Sequence, residues 1–332
     1  MNKRERVLTV LSGKQADRVP ASFWHHFGPG ECEGDACVQA HMDYYRATGI
    51  DFIKVMSDGL NYPLEVSIDC AADWRKVRPL PKDHPFFTES IKRCKEINRA
   101  LGGEAVTFYN VFSPFNVIRE RDVFTEKALA GCSWDATVMA QLRESPEAED
   151  AIRQAMRVIG EDMAYLAKAV IVDGGCLGIY QSVQGAEKGR MSAEEYARIV
   201  RVTELGILEA ANAVSKYNIL HMCSWAGNPN HLSYWKDYPT RVKNWGIGIE
   251  GLTLTDAKDF FPAGTILLGG MDNRKDHPLY AGDEAQVRAA VDAVLDEMKD
   301  TPFILGADCT VPPDIDLDHI RWVMDELEQK KS

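Results

Sequence analysis

The chain is short of positive charge and has no long apolar run and no low-complexity tract. Each shortage removes a class of function. With 38 lysines and arginines against 50 aspartates and glutamates, the formal net charge is −12, and no basic cluster interrupts that balance. This argues against non-specific nucleic-acid binding and against an anionic membrane as partner. No apolar run approaches the length needed to cross a bilayer. The first residues, Met1-Asn2-Lys3-Arg4-Glu5-Arg6, are charged and have no apolar signal core behind them, so a cytoplasmic location is expected. A Gly-x-Ser-x-Gly elbow, a hydrolase triad and a dinucleotide or P-loop fingerprint are all missing. Leu268-Gly269-Gly270-Met271-Asp272-Asn273 is only loosely like a phosphate-binding turn.

What is present is a core-rich chain of 332 residues, 45% hydrophobic and 27% charged, long enough for two ordinary domains or one large barrel. No linker or repeat divides it, so residues 1–332 are expected to form one domain. Short apolar runs at Ala21–His26, Asp51–Met56, Ala105–Tyr109, Cys176–Tyr180, Ile219–Cys223, Ile249–Thr255, Thr265–Met271 and Pro302–Ala307 read as strands. Helical patterns over about 2–12, 35–48, 86–101, 123–143, 146–170, 192–217, 230–244, 283–299 and 316–330, with a short one ending near Phe261, separate or flank them. Eight strands alternating with helices predict a single-domain α/β fold, a parallel (β/α)8 TIM barrel, with a doubly wound open sheet as the alternative.

In such barrels the chemistry sits at the C-terminal strand ends. Those ends carry His25 and His26, Asp58, Tyr109 and Asn110, Gln181, His221 with Cys223, Asp256, Asp272, and Asp308 with Cys309. Strands commonly end in Asp, Asn and Gly for turn chemistry alone, which leaves Asp58 and Asp272 open as general acids, substrate clamps or mere loop caps. Turn chemistry does not account for His221-Met222-Cys223. Residues two apart in a strand face one way, so an imidazole and a thiol project side by side. With Cys309 they make a three-ligand zinc set that leaves one coordination position open. The bland reading is a buried histidine and two unrelated core cysteines. The eight cysteines (32, 37, 70, 94, 132, 176, 223 and 309) are expected to be reduced. Cys32 and Cys37 near His25 and His26 form a competing cluster, but its spacing matches no common zinc knuckle.

Arg4-Glu5-Arg6-Val7-Leu8 and Asp17-Arg18-Val19-Pro20 open the chain, and Gln184-Gly185-Ala186 with Met191 to Tyr196 lies in its middle. Leu268 to Asp272 and Leu305 to Asp314 follow towards the end. With these stretches the chain resembles the uroporphyrinogen decarboxylase superfamily nearly end to end, which implies the (β/α)8 barrel. The decarboxylase branch holds its tetrapyrrole carboxylates with arginines just after the first strand, whereas Ala21 to Glu31 contains neither Arg nor Lys. In the cobamide-dependent methyltransferase branch, the zinc ligands fall on His221, Cys223 and Cys309. That resemblance implies zinc and a corrinoid (cobalamin) carried by a separate partner protein. A methyl group would move between the cobalt and a small molecule, either a thiol such as coenzyme M or a methoxylated donor. Asp58 and Asp272 are then candidates to protonate the leaving group, and His25, His26, Tyr109 and Gln181 are expected to line the pocket. The alternatives are a metal-independent decarboxylase of a small acidic substrate and a barrel that binds a tetrapyrrole without catalysis.

Overall fold

The computed structural model describes residues 1–119, 134–224 and 227–331. Eight strands run in parallel: β1 (Ala21–Ser22), β2 (Phe52–Val55), β3 (Val106–Phe112), β4 (Gly178–Val183), β5 (Ile219–Met222), β6 (Val242–Trp245), β7 (Ile266–Met271) and β8 (Phe303–Ala307). From β2 to β8 each strand pairs with the next in sequence, and β1 pairs with β8. The remaining seam, between β1 and β2, is bridged rather than laddered. The Asp51 N–H donates to the Ala21 carbonyl (2.8 Å) and Ser22 Oγ donates to the Phe52 carbonyl (2.8 Å). The expected barrel forms, with helices around it.

The helices follow from local chemistry. The longest, Pro146–Val172, starts at Ser145, whose side chain accepts from the Ala148 N–H, with proline in the first turn. It buries Ile152, Ala155, Met156, Ile159, Met163, Leu166 and Val170, a three-and-four spacing that lays one stripe on the barrel. Lys3–Leu11 opens with a capping box between Asn2 and Glu5. Among the described residues no helix is long and apolar enough to cross a membrane, and none of the seven described cysteines is in a disulfide. Cys132 and part of the helix expected over 123–143 lie outside the described residues, and the described remainder is Trp134–Leu142.

One strand lies elsewhere than its pattern predicts. β6 is Val242–Trp245, starting within the stretch expected to be helical, whereas the expected strand at Ile249–Thr255 runs from the short helix Ile247–Glu250 through Gly251 (φ 69°) into Leu254–Phe260, the short helix expected to end near Phe261. Asp256 therefore sits in the first turn of a helix and not at a strand end. The physical reason is that β6 buries polar residues on both faces. Lys243 reaches the Trp235 and Tyr238 carbonyls, and Asn244 enters the barrel. The apolar pattern consequently fails to mark the strand. β3 and β4 also run three residues beyond the expected ends Tyr109 and Tyr180, to Phe112 and Val183, which changes which side chains reach the mouth.

Candidate metal centre

Register carries His221 to the inner wall. In the ladder it lies opposite Ser182 on β4 and Asn244 on β6. The Asn244 amide is oriented by its neighbours, since Nδ2 donates to the Leu268 (2.9 Å) and Ala307 (3.2 Å) carbonyls. Its Oδ1 must then accept, and it does so from the Tyr180 hydroxyl (2.6 Å) and from His221 Nδ1 (2.5 Å). The proton of the neutral imidazole is thereby placed on Nδ1 and the lone pair on Nε2. Nε2 lies 3.4 Å from Cys309 Sγ, and the His221 ring stacks on Tyr180 at 5.4 Å between centroids.

Cys223 directly follows β5, where its N–H extends the ladder to the Val183 carbonyl (3.0 Å). Cys309 follows β8. One ligand atom each from His221, Cys223 and Cys309 lies within 4.8 Å of the others. Zinc–sulfur and zinc–nitrogen bonds of about 2.3 and 2.0 Å in a tetrahedron put ligand atoms roughly 3.3–3.8 Å apart, so small side-chain adjustments bring this set onto one ion. The donor chemistry also fits. Hydrogen bonding from the Cys223 thiol, helped by His221 and Lys54, holds the Cys309 thiol well below its ordinary range despite burial. A thiolate is the form a metal needs.

The expected pocket residues divide. Tyr109 and Gln181, now inside their strands, point outward: the Tyr109 hydroxyl donates to Ser90 Oγ (2.8 Å) on the helix Pro85–Leu101, and Gln181 Nε2 to the Glu204 carbonyl (3.2 Å). Neither side chain therefore faces the metal set, and strand alternation puts Tyr180 and Asn110 on the inner wall instead. His25 packs on Phe27 and Tyr44 at 4.7 Å from each, so it faces the helix Gly34–Thr48. His26 remains at the mouth, bound through Nδ1 to Asp58 Oδ1 (2.7 Å). The competing cluster does not assemble: Cys37 and His41 pair within their own helix, and the Cys32 carbonyl accepts from Arg93.

Neither acid candidate is suited to donate a proton near neutrality. Although burial opposes it, hydrogen bonds from His26 and the Phe27 N–H keep the Asp58 carboxyl below its ordinary value. Asp272 is likewise held down, against burial, by Arg274 (2.6 Å). Burial instead raises Asp308 to about 7, with Oδ2 accepting from the Gly248 N–H (3.2 Å) and Oδ1 unpartnered. Three further inner-wall residues carry no motif that marks them in the sequence: Trp24, Lys54 and Asn244. Lys54 places its ammonium 4.0 Å from the Tyr180 ring centroid and 5.1 Å from that of Trp24. Burial lowers it to about 8, with Cys309, Asp58 and Cys223 pulling the other way. An alternation-based reading of Phe52-Ile53-Lys54-Val55 finds this lone polar residue in an apolar strand.

Similarity to known proteins follows the geometry. A methyltransferase from Methanosarcina mazei shares the fold at a TM-score of 0.72 with 15% identity, each chain covered in full (100%). Two B12-independent methionine synthases are more distant. One, described as putative, is from Listeria monocytogenes (TM-score 0.52, 11% identity, covering 94% of this chain and 96% of that one). The other is from Shewanella (TM-score 0.53, 8% identity, covering 94% and 93%). These identities carry the fold alone. A search of curated protein sequences finds no match. The profile described as uroporphyrinogen decarboxylase (URO-D) matches residues 2–329, and the chain belongs to that family.

Proposed function

We propose that this protein is a zinc-dependent methyltransferase that moves a methyl group between the cobalt of a corrinoid, carried by a separate protein, and a small substrate. The observation that carries the reading is the meeting of His221, Cys223 and Cys309 at the barrel mouth, with the imidazole tautomer set by Asn244. A zinc ion held there supplies a Lewis-acidic centre with one position open to a substrate sulfur or oxygen. Two cysteine thiolates and a neutral histidine bring that centre close to zero net charge. Such a centre can take either a thiol acceptor such as coenzyme M or the oxygen of a methoxylated donor. The fold shared with a Methanosarcina methyltransferase supports the same reading.

The protein's own residues hold and shape the site. Asn244 and Tyr180 fix the imidazole, and the barrel wall excludes water from its Nδ1 side. Asp58, kept ionised and tied to His26 and the Phe27 N–H, orders the loop after β2. The decarboxylase alternative requires cationic side chains for several substrate carboxylates, and Ala21 to Glu31 offers none.

Metal analysis is the first test. Purified protein is expected to hold stoichiometric zinc, and His221→Ala is expected to lose it. Zinc-free wild type, or a His221→Ala protein that retains the metal, sinks the proposal. Direction is then read optically. Loss of the methylcobalamin absorbance with thiols identifies a thiol acceptor, whereas turnover only of methoxylated compounds with Co(I) corrinoid identifies demethylation.

A further inference from the structure

The barrel interior holds a cation with no anionic partner. Lys54 is 6% exposed, and among the described residues its ammonium makes no hydrogen bond or ion pair. It is held instead over the faces of Tyr180 (4.0 Å) and Trp24 (5.1 Å), contacts that stabilise a cation without neutralising it. The carboxylate that acts on it, Asp58, is committed elsewhere, with Oδ1 to His26 and Oδ2 to the Phe27 N–H. A second donor nearby is also unanswered. Trp24, 2% exposed, has an indole Nε1–H with no acceptor, and a buried orphan donor of this kind is costly unless a ligand satisfies it.

Charge balance says what kind of ligand is missing. A divalent ion on the His221, Cys223 and Cys309 set takes up the charge of both cysteines, so neither is left to balance the Lys54 ammonium. Lys54 then remains as a buried cation beside a neutral centre, an arrangement that favours one further negative charge within the same low-dielectric space.

We propose that Lys54 and Trp24 form an anion-recognition position next to the metal, and that the unmethylated partner in the transfer occupies it as a monoanion through a single negatively charged sulfur or oxygen, a thiolate acceptor or the phenolate left by a methoxylated donor. The inference rests on the metal reading above and goes beyond it by assigning substrate charge and the residues that select it. Neutral ligands reach the metal without using this position.

The test uses cobalt(II)-substituted full-length protein at pH 7, with binding followed through the ligand-field bands. Thiocyanate is the anionic probe and imidazole the neutral one. In Lys54→Met the thiocyanate dissociation constant is expected to rise about tenfold or more, the effect of removing one nearby buried charge, with imidazole binding unchanged. Trp24→Phe keeps an aromatic face and removes the indole N–H together with the five-membered ring, with imidazole binding as the control for the lost volume. It is expected to weaken thiocyanate by roughly threefold to tenfold, the range of one lost hydrogen bond, and it decides the matter alone if Lys54→Met does not fold. Unchanged thiocyanate affinity, or equal loss of both probes, overturns the inference while leaving the metal reading intact. Failure of the wild type to bind cobalt(II) overturns the metal reading and the inference with it. Repeating the titrations with 2-mercaptoethanol and with phenol separates sulfur from oxygen. Lys54-dependent binding of either one supports the proposal and names the class, and dependence of neither overturns it.

Discussion

Asn244 is the residue on which the candidate centre turns. Both amide hydrogens are committed to backbone carbonyls of β7 and β8, so its oxygen alone faces His221 and Tyr180. Second partners of metal-bound histidines typically contribute about 10–100-fold in metal affinity. Asn244→Ala is expected to weaken zinc binding by about that factor while leaving His221, Cys223 and Cys309 in place. Competition with a chromogenic chelator measures it, and an unchanged affinity removes Asn244 from the site.

A second residue-scale expectation concerns Glu204, buried behind β4 with the Tyr196 (2.8 Å) and Tyr238 (2.6 Å) hydroxyls on Oε2 and with Oε1 unpartnered. Burial raises its carboxyl from 4.5 to about 7. A folded-state pKa above the unfolded value means that the native state holds the proton more tightly. The corresponding stability is complete below 4.5 and is lost as pH rises through about 7. Glu204→Gln keeps the shape without the charge. Its stability relative to wild type is expected to improve by about 1–3 kcal/mol between pH 4 and pH 8, read from urea unfolding at both values. A difference independent of pH contradicts this.

At the scale of elements, β7 shows why a motif-like string is not a site. Gly269 and Gly270, inside the stretch loosely like a phosphate turn, have φ of 151° and 110°. A Cβ on Gly270 would lie 2.7 Å from Val294 Cγ1 on the helix Glu284–Glu297. The second glycine therefore serves the close approach of helix to strand. Gly270→Ala combines positive φ with overpacking and is expected to cost about 2–4 kcal/mol. The readout is a lower urea midpoint at unchanged slope, with zinc stoichiometry retained. A stable Gly270→Ala protein would mean that the helix can shift without penalty. β6 makes the complementary point, because a strand polar on both faces is invisible to an apolar pattern even though it supplies Asn244.

For the whole molecule, closure of the ring is the decisive event, and its weakest seam carries a buried ion cluster. Asp51, fully buried, accepts from Arg6 Nη1 (2.8 Å), Arg18 Nη1 (2.8 Å) and the Ala21 N–H (2.8 Å). Arg18 also reaches Glu328 (2.7 Å), so the N-terminal helix, both strands of the seam and the last helix meet at one carboxylate. Removing one member of such a cluster strands the others in a dry interior. Asp51→Asn is expected to lower stability by about 3–5 kcal/mol, measured by equilibrium denaturation. A loss under 1 kcal/mol would show that water replaces the carboxylate cheaply.

Much of this was legible in the amino-acid order. Alternating apolar runs and helical stripes specify a (β/α)8 barrel because each element must bury one face. The His-x-Cys spacing specifies side-by-side donors because strand period is two. Other features depend on partners far away in the chain. Tyr109 and Gln181 turned outward because β3 and β4 run past their expected ends, and a strand end is set by its neighbour's ladder as much as by its own residues. Asp58 and Asp272 lost the role of acid through His26, the Phe27 N–H and Arg274, contacts that become specific only in three dimensions. The sequence by itself determined the barrel and the donor types. Tertiary structure alone decided that His221 and Cys309, 88 residues apart, meet at 3.4 Å, and that an unpaired lysine lies beside them. Proximity across a barrel is a property of closure and register, which no local pattern encodes.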